Sequence, residues 1–321
     1  QFSGSSFDGD IISVDIYEDG FLIGVGGFGN IKRTTDFGFT WENAKKGTNN
    51  HIHDITFTDK NTGYAIGQYG AILKTTNAGK NWEDKSYSDK EIIFSKIKFF
   101  SKDTAIIASA DGKFYKTTNA GESWNKTGEI YDISLKDISF INEQIGWACY
   151  WGSTKEYYVS KTTEGGSYWQ TQKFLKDTII EDIQFLDENT GFAVGRKGVF
   201  WTITNSGEDW QTIQLDTNIS LNCMYFIDVN TGWIAGNKIL KTTDGGNTWN
   251  LQLDSLNIYF NSIQFVNSNI GWAVSSKGHI YKTIDGGANW EFEAKLTDNW
   301  IYKILFLDEK NGWIVGNYGT I

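Results

Sequence analysis

Apolar and polar positions along this chain fall into short runs of strand length that come in sets of four. Residues 50 to 90 show one set: Ile52-His53-Asp54-Ile55-Thr56-Phe57, then Gly63-Tyr64-Ala65-Ile66-Gly67, then Ala71-Ile72-Leu73-Lys74-Thr75-Thr76, then Trp82-Glu83-Asp84-Lys85-Ser86-Tyr87. Each run is rich in β-branched and aromatic side chains and is bounded by Gly, Asn and Asp, so the pattern predicts four strands, A to D from the axis outward. The turn between A and B recurs as Asp-x-Asn-Thr-Gly or close to it, at Asp59 to Gly63, Asp187 to Gly191 and Asp228 to Gly232, residues that tolerate positive φ.

The set repeats from end to end. Between C and D lies Thr-x-Asp-x-Gly-x-x-Trp or a near variant, its Trp at 41, 82, 124, 169, 210, 249 and 290, spaced by 39 to 45 residues. A period near 41 carrying four strands predicts an all-β fold, a single β-propeller of four-stranded antiparallel blades. The A-strand Phe follows the preceding Trp by 16 residues at Phe57, Phe140, Phe185, Phe226, Phe265 and Phe306, and by 17 at Phe99. Run backwards, the rule makes Ile16 the first equivalent and puts residues 1–8 in a D-strand slot. The expectation is therefore one domain over 1–321 with eight blades. Its units are about 9–49, 50–90, 91–132, 133–177, 178–218, 219–257 and 258–298, plus 299–321 completed by 1–8, so that the N- and C-terminal strands share the closing blade. Seven blades with an overhanging half-unit is the alternative.

Composition excludes several classes. The formal charge is -10, and only Arg33 and Arg196 of the 29 basic residues are arginine, which opposes nucleic acid binding. No apolar run is long enough to span a membrane. Gln1 in place of an initiator Met favours a chain seen after signal removal. Cys149 and Cys223 lie two units apart and are expected buried and unbridged.

The octapeptide between C and D resembles the Asp-box of the BNR-repeat families. Asp36, Asn77, Asn119, Glu164, Asn205, Asp244 and Asp285 stand at the carboxylate or amide position, with Trp41, Trp82, Trp124, Trp169, Trp210, Trp249 and Trp290 closing each copy. The side-chain oxygen is expected to accept N–H groups inside the turn, Gly to make the bend and Trp to pack beneath it. Three copies carry an Asn that cannot act as a general base, so the role is structural. The fuller signature, clearest over Asn230 to Trp249 and Asn269 to Trp290, is similar to the photosystem II stability and assembly factor family and its cousins in non-photosynthetic bacteria. That resemblance implies a non-enzymatic assembly scaffold acting outside the cytoplasm. Photosynthetic members meet their client through an Arg-rich patch, which two arginines cannot reproduce. Sialidases, which also carry the Asp-box, need three arginines for the substrate carboxylate and are excluded by count.

In a propeller the D-to-A and B-to-C connections share the top face. Unit four lengthens its B-to-C connection through Tyr150, Trp151, Tyr157 and Tyr158. The same face is expected to present Phe28, Tyr69, Arg196, Lys197, Lys277 and Tyr318, with His51, Tyr259 and Trp300 at A-strand starts. Amphipathic aromatics ringed by a few charges suit a peptide or a sugar. His51 and His53 alternate along one strand face as metal ligands do, but no third ligand is identifiable, and no cofactor or metal is implied. The expectation is an extracytoplasmic binding or assembly scaffold that holds a protein partner on the top face, monomeric alone or a subunit of a larger complex. The alternative is a glycan-binding or glycoside-hydrolase-like propeller using channel carboxylates.

Overall fold

The computed structural model describes residues 10–17, 20–45, 47–175, 179–204, 210–216, 218–254 and 258–320. Each of the first seven repeats forms a four-stranded antiparallel meander in sequence order. In the first, β1 (Ile11–Tyr17), β2 (Phe21–Gly26), β3 (Ile31–Thr34) and β4 (Glu42–Asn43) pair in succession. B strands such as Gly63–Gly67, Gly191–Gly195, Gly232–Gly236 and Gly271–Ser275 are buried at every position, because both faces of each sheet meet a neighbouring blade. That explains their unbroken apolar runs. A strands pack beside one another around the ring, and D strands such as Glu83–Asp84 form the exposed outer rim. No helix is long and apolar enough to cross a membrane.

The expected blade count is corrected. Among the described residues there are seven four-stranded blades, not eight, and the last repeat is a separate two-stranded sheet of Ile301–Phe306 and Gly312–Gly316. No described strand from the N-terminal side joins it, so the closing blade shared by both ends is overturned; residues 1–8, assigned to it, lie outside the described residues. The 16-residue offset located A strands correctly, but an offset between inner strands carries no information about outer pairing. The hairpin wedges into the seam of the ring. Its Ile301, Ile304 and Ile314 pack on Trp272, Val274 and Ile280 of the seventh blade, while Val315 joins Ile11, Val14 and Leu22 of the first.

Packing between successive units follows one recipe at four junctions, whereas Phe21 of the first blade meets Phe57 edge-on at 5.2 Å. Trp147, Phe192, Trp233 and Trp272 of the B strands lie flat on the next unit's Phe185, Phe226, Phe265 and Phe306, with ring centroids 3.5 to 3.7 Å apart. Trp210, Trp249 and Trp290 meet three of those Phe rings edge-on at 5.7 to 6.2 Å. On the far side, Lys161, Lys241 and Lys282 hold their ammonium groups 5.0 to 5.1 Å from the Trp147, Trp233 and Trp272 rings. Several cations also reach the next blade's C-to-D turn: Arg33 Nε donates to Ala78 O at 2.9 Å, and Lys74 and Lys241 Nζ donate to Ala120 O and Gly286 O, each at 2.8 Å. The A-strand Phe ring also fixes the glycine that opens most B strands. A Cβ on Gly146, Gly191, Gly232 or Gly312 would lie 2.3 to 2.4 Å from it.

The C-to-D turn is built as its residues suggested. Thr34, Thr75, Thr117, Thr242 and Thr283 hydroxyls donate to Asp36, Asn77, Asn119, Asp244 and Asp285 at 2.6 to 3.1 Å. The same oxygens accept the N–H four residues on, from Thr40, Asn81, Ser123, Thr248 and Asn289, at 2.9 to 3.1 Å. Glu164, one methylene longer, instead accepts from the Ser167 hydroxyl at 3.2 Å. Asn205 lies outside the described residues. Hydrogen bonds from Thr34 and from Asn289 lower the Asp36 and Asp285 carboxyls to about 2, and the bond from Thr248 lowers Asp244.

Trp249 closes an interface against Phe200 and Phe226. Replacing it with Ala should cost about 3 kcal/mol in equilibrium unfolding. Asp244→Asn should cost far less, since an amide oxygen accepts the same Thr248 N–H, as Asn77 does for Asn81. Equal losses from the two variants would show that the charge itself is required.

Candidate functional site

Strand A is the innermost of each sheet, so one of its backbone edges has no strand beside it. Unpaired edge groups must be solvated or capped. Polar side chains of the preceding blade cap them at three levels. Near the strand starts, His53 Nδ1, Asn222 Nδ2 and Asn261 Nδ2 meet the carbonyls of Phe94, Phe260 and Ile301 at 3.1, 3.0 and 2.8 Å. Midway, the Asp54 and Asp182 carboxylates accept Ile97 and Met224 N–H, each at 3.0 Å. Lower, Asp15, Ser139, Gln184 and Gln264 accept the N–H of Phe57, Phe185, Phe226 and Phe306 at 2.6 to 3.2 Å.

These bonds decide the chemistry of the axis. A carbonyl opposite His53 Nδ1 requires that nitrogen to carry the proton, while the His51 ring instead packs 5.0 Å from Phe28. The two histidines have separate jobs and do not form a ligand pair. At the equivalent position of successive blades stand Asp54, Lys96, Asp137 and Asp182, with Lys96 Nζ 2.9 Å from Asp137 Oδ1. The Asp137 carboxylate raises the Lys96 ammonium well above its usual range. The channel carboxylates, candidates for hydrolysis in the sequence reading, are thus engaged with main-chain N–H groups and an ammonium. Among the described residues, no three His, Cys, Asp or Glu side chains are grouped to hold a metal.

The top face is set by a second recurring bond. In most units the residue after the B strand donates its N–H to the carbonyl just before the same unit's A strand. The pairs are Gly27 to Asp10, Gln68 to His51, Arg196 to Ile179, Ser276 to Tyr259 and Asn317 to Trp300, at 2.8 to 3.0 Å. Turn tip and strand start are therefore neighbours in every such unit.

The predicted residues divide into two groups. In unit four, Tyr150 is buried (4% exposed) and bonds the Ser160 hydroxyl at 2.7 Å, so its expected place on the surface is corrected. The extension is a longer hairpin, Gly146–Gly152 with Tyr157–Thr162, that packs on itself: Trp151 meets Tyr157 at 4.9 Å and Tyr158 stacks on Tyr150 at 5.7 Å. In unit five, Arg196 is tied to Glu181 at 2.8 Å and Lys197 takes the turn tip with φ 62°. Tyr259 is exposed in the seventh blade. Across the seam, by contrast, Trp300, Tyr318, Phe28 and Tyr69 are 57%, 72%, 64% and 55% exposed. Phe28, Tyr69 and Tyr318 occupy the same turn position with φ of 55°, 58° and 52°, a left-handed backbone that costs a bulky residue about 1 kcal/mol or more. The sequence reading missed Asp10, whose Oδ1 accepts Tyr318 N at 3.0 Å, and exposed Tyr302 and Tyr131. The B-to-C spacing shared by Gly27-Phe28-Gly29, Gln68-Tyr69-Gly70 and Asn317-Tyr318-Gly319 was the available signal.

The axial cluster generates a pH prediction. Burial pushes the Asp182 carboxyl up to about 7, with the Asp137 charge adding to the shift. A carboxyl whose folded pKa is raised keeps its proton when the unfolded chain has lost it. Stability present below the ordinary value is then lost as pH climbs towards 7. Asp182→Asn retains an oxygen for Met224 N–H and has no proton to lose. It should exceed the wild type at pH 8 by on the order of 2 kcal/mol, after allowance for solvent screening at a half-buried wall, with the gap closing near pH 4. Thermal melts across that range check it, and a gap independent of pH would contradict the assignment.

Comparison with known proteins fits this geometry. A family model described as photosynthesis system II assembly factor YCF48 matches residues 32–130, 161–256, 202–291 and 251–321. No curated protein matches the chain. Among solved structures, YCF48 bound to D1 peptide aligns with a TM-score of 0.64 at 22% identity, over 84% of this chain and 92% of that one. YCF48 from Cyanidioschyzon merolae gives 0.64 at 20% identity, over 84% and 93%. Sqt1 of Saccharomyces cerevisiae gives 0.74 at 12% identity, over 99% and 96%, a likeness of fold. With the family model matched over most of its length, the chain belongs to the photosystem II assembly factor YCF48 family.

Proposed function

We propose that this chain is a non-catalytic scaffold, acting outside the cytoplasm, that holds a protein partner on the top face of its propeller. The observation that carries the reading is the group of exposed aromatic side chains held at turn tips in left-handed backbone, a conformation that carries a local cost. Family membership supports the assembly role, and a solved relative holding a D1 peptide supports a protein ligand. The engagement of the axial carboxylates in structural bonds favours binding over hydrolysis. The extracytoplasmic location follows the resemblance, and protease accessibility in intact cells tests it.

Affinity capture from the native organism tests the function. The bait proteins are the wild type, a seam variant with Phe28→Gly, Tyr69→Gly and Tyr318→Gly, and a Trp151→Ala variant. One protein captured in stoichiometric amount by the wild type and by Trp151→Ala, and lost from the seam variant, is the expected result. No protein captured by any of the three, together with turnover on a polysaccharide panel, would replace the scaffold with an enzyme.

A further inference from the structure

Six residues of the top face form one unbroken arc over the seam where the terminal hairpin meets the first blade. Trp300 O accepts Asn317 N at 2.8 Å, and the adjacent Tyr318 N donates to Asp10 Oδ1 at 3.0 Å. Asp10 O accepts Gly27 N at 3.0 Å, next to Phe28, whose ring lies 5.0 Å from that of His51. His51 O in turn accepts Gln68 N at 2.9 Å, next to Tyr69. Each step is a hydrogen bond, a ring contact or a chain-adjacent residue, so the aromatic tips are neighbours in single file rather than scattered exposures.

Charge selects the occupant. Asp10 is the one formally charged side chain of the six, the arc contains neither Lys nor Arg, and the whole chain carries -10. Aromatic faces present negative potential, and with a carboxylate among them they attract a cation and repel an anion. Away from the seam, the fifth blade places Lys197 at the corresponding turn position, with the same left-handed backbone and the opposite preference. A single-file run of rings bridging neighbouring units suits an extended segment lying across the seam.

We propose that the arc of Trp300, Tyr318, Asp10, Phe28, His51 and Tyr69 binds an extended cationic segment of the protein partner, with Lys or Arg side chains over the rings and beside the Asp10 carboxylate. The proposal rests on the top face being the partner site, and its polarity is its own claim.

The test uses the whole chain and three labelled peptides of Gly, Ser and Leu that differ only in carrying spaced Arg, citrulline or Glu. Citrulline keeps the shape of Arg without its charge. Fluorescence anisotropy should show the Arg peptide bound at least about tenfold more tightly than the citrulline peptide, weakening as salt rises, with the Glu peptide weakest. The variant combining Phe28→Gly, Tyr69→Gly and Tyr318→Gly should lose that advantage. Glycine relieves the left-handed strain at all three sites, so this variant should melt no lower than the wild type, and lost binding cannot be assigned to unfolding. Asp10→Asn, which keeps an acceptor for Tyr318 N, should weaken the Arg peptide alone. Equal binding of Arg and citrulline peptides, both lost in the glycine variant, would overturn the cationic assignment while leaving the face a protein site. Arg-peptide binding that survives the glycine variant would overturn the location, and no binding by any peptide would overturn both.

Discussion

The structure depends on a stack repeated between blades. A lysine of strand C lies over an aromatic of strand B, which lies flat on the Phe of the next unit's strand A, which in turn meets its own unit's turn Trp edge-on. Each ring pair contributes about 0.5–1.5 kcal/mol beyond the area it buries, and the stack accepts no shift of register, because flat and edge-on geometries are both specified. The strict period of the sequence is the trace of that requirement. At the seam the stack changes: Ile16 stands where other units have Phe, and Trp313 of the hairpin packs instead with Ile16, Trp41 and the Phe37 ring at 6.5 Å. Trp313 Nε1 also donates to Phe37 O at 3.3 Å, which fixes the hairpin to the first blade's turn.

Once the blades are stacked, the backbone edges facing the axis need partners. The preceding blade supplies them from Asp, Asn, Gln, Ser and His side chains, so polar residues on the A strands are part of the ring's closure. This has an electrostatic cost. Asp54, Asp137 and Asp182 are held close together with only Lys96 among them, and burial together with neighbouring charge raises the Asp182 carboxyl. Polar residues that line the axis, Asp54, Asp182, His53 and Lys96, are thus engaged in structural bonds.

With the blade faces, the axis and the lower turns all committed, the top connections are the part of the fold with freedom to vary. A rigid scaffold presenting variable tips is the arrangement in which binding surfaces are commonly found. Some of the fold's backbone strain is held at these tips, as it is at Phe37, Ala78 and Ala120 of the lower turns. Four non-glycine residues at the same turn position, Phe28, Tyr69, Lys197 and Tyr318, hold φ between 52° and 62°. The family's fold is kept, and the polarity of the seam is a property of this chain's own residues.

Strand order, the unit length, the turn chemistry around Asp36, Asp244 and Asp285, and the membership of the family were legible in the sequence, because each is a local pattern repeated at a fixed spacing. Pairing at the rim was not: the A-strand offset pointed to an eighth full blade, whereas the last repeat pairs as two strands, since pairing depends on which strands meet and not on where their residues fall. The aromatic loop of unit four drew attention by composition, yet Tyr150 is buried and Trp151 packs on Tyr157, because a lengthened hairpin has partners across its own two strands. The seam arc was present only as single residues near the two ends of the sequence. Asp10 and Tyr318 became neighbours when the ring closed, a contact that no local pattern encodes and that only tertiary structure could bring about.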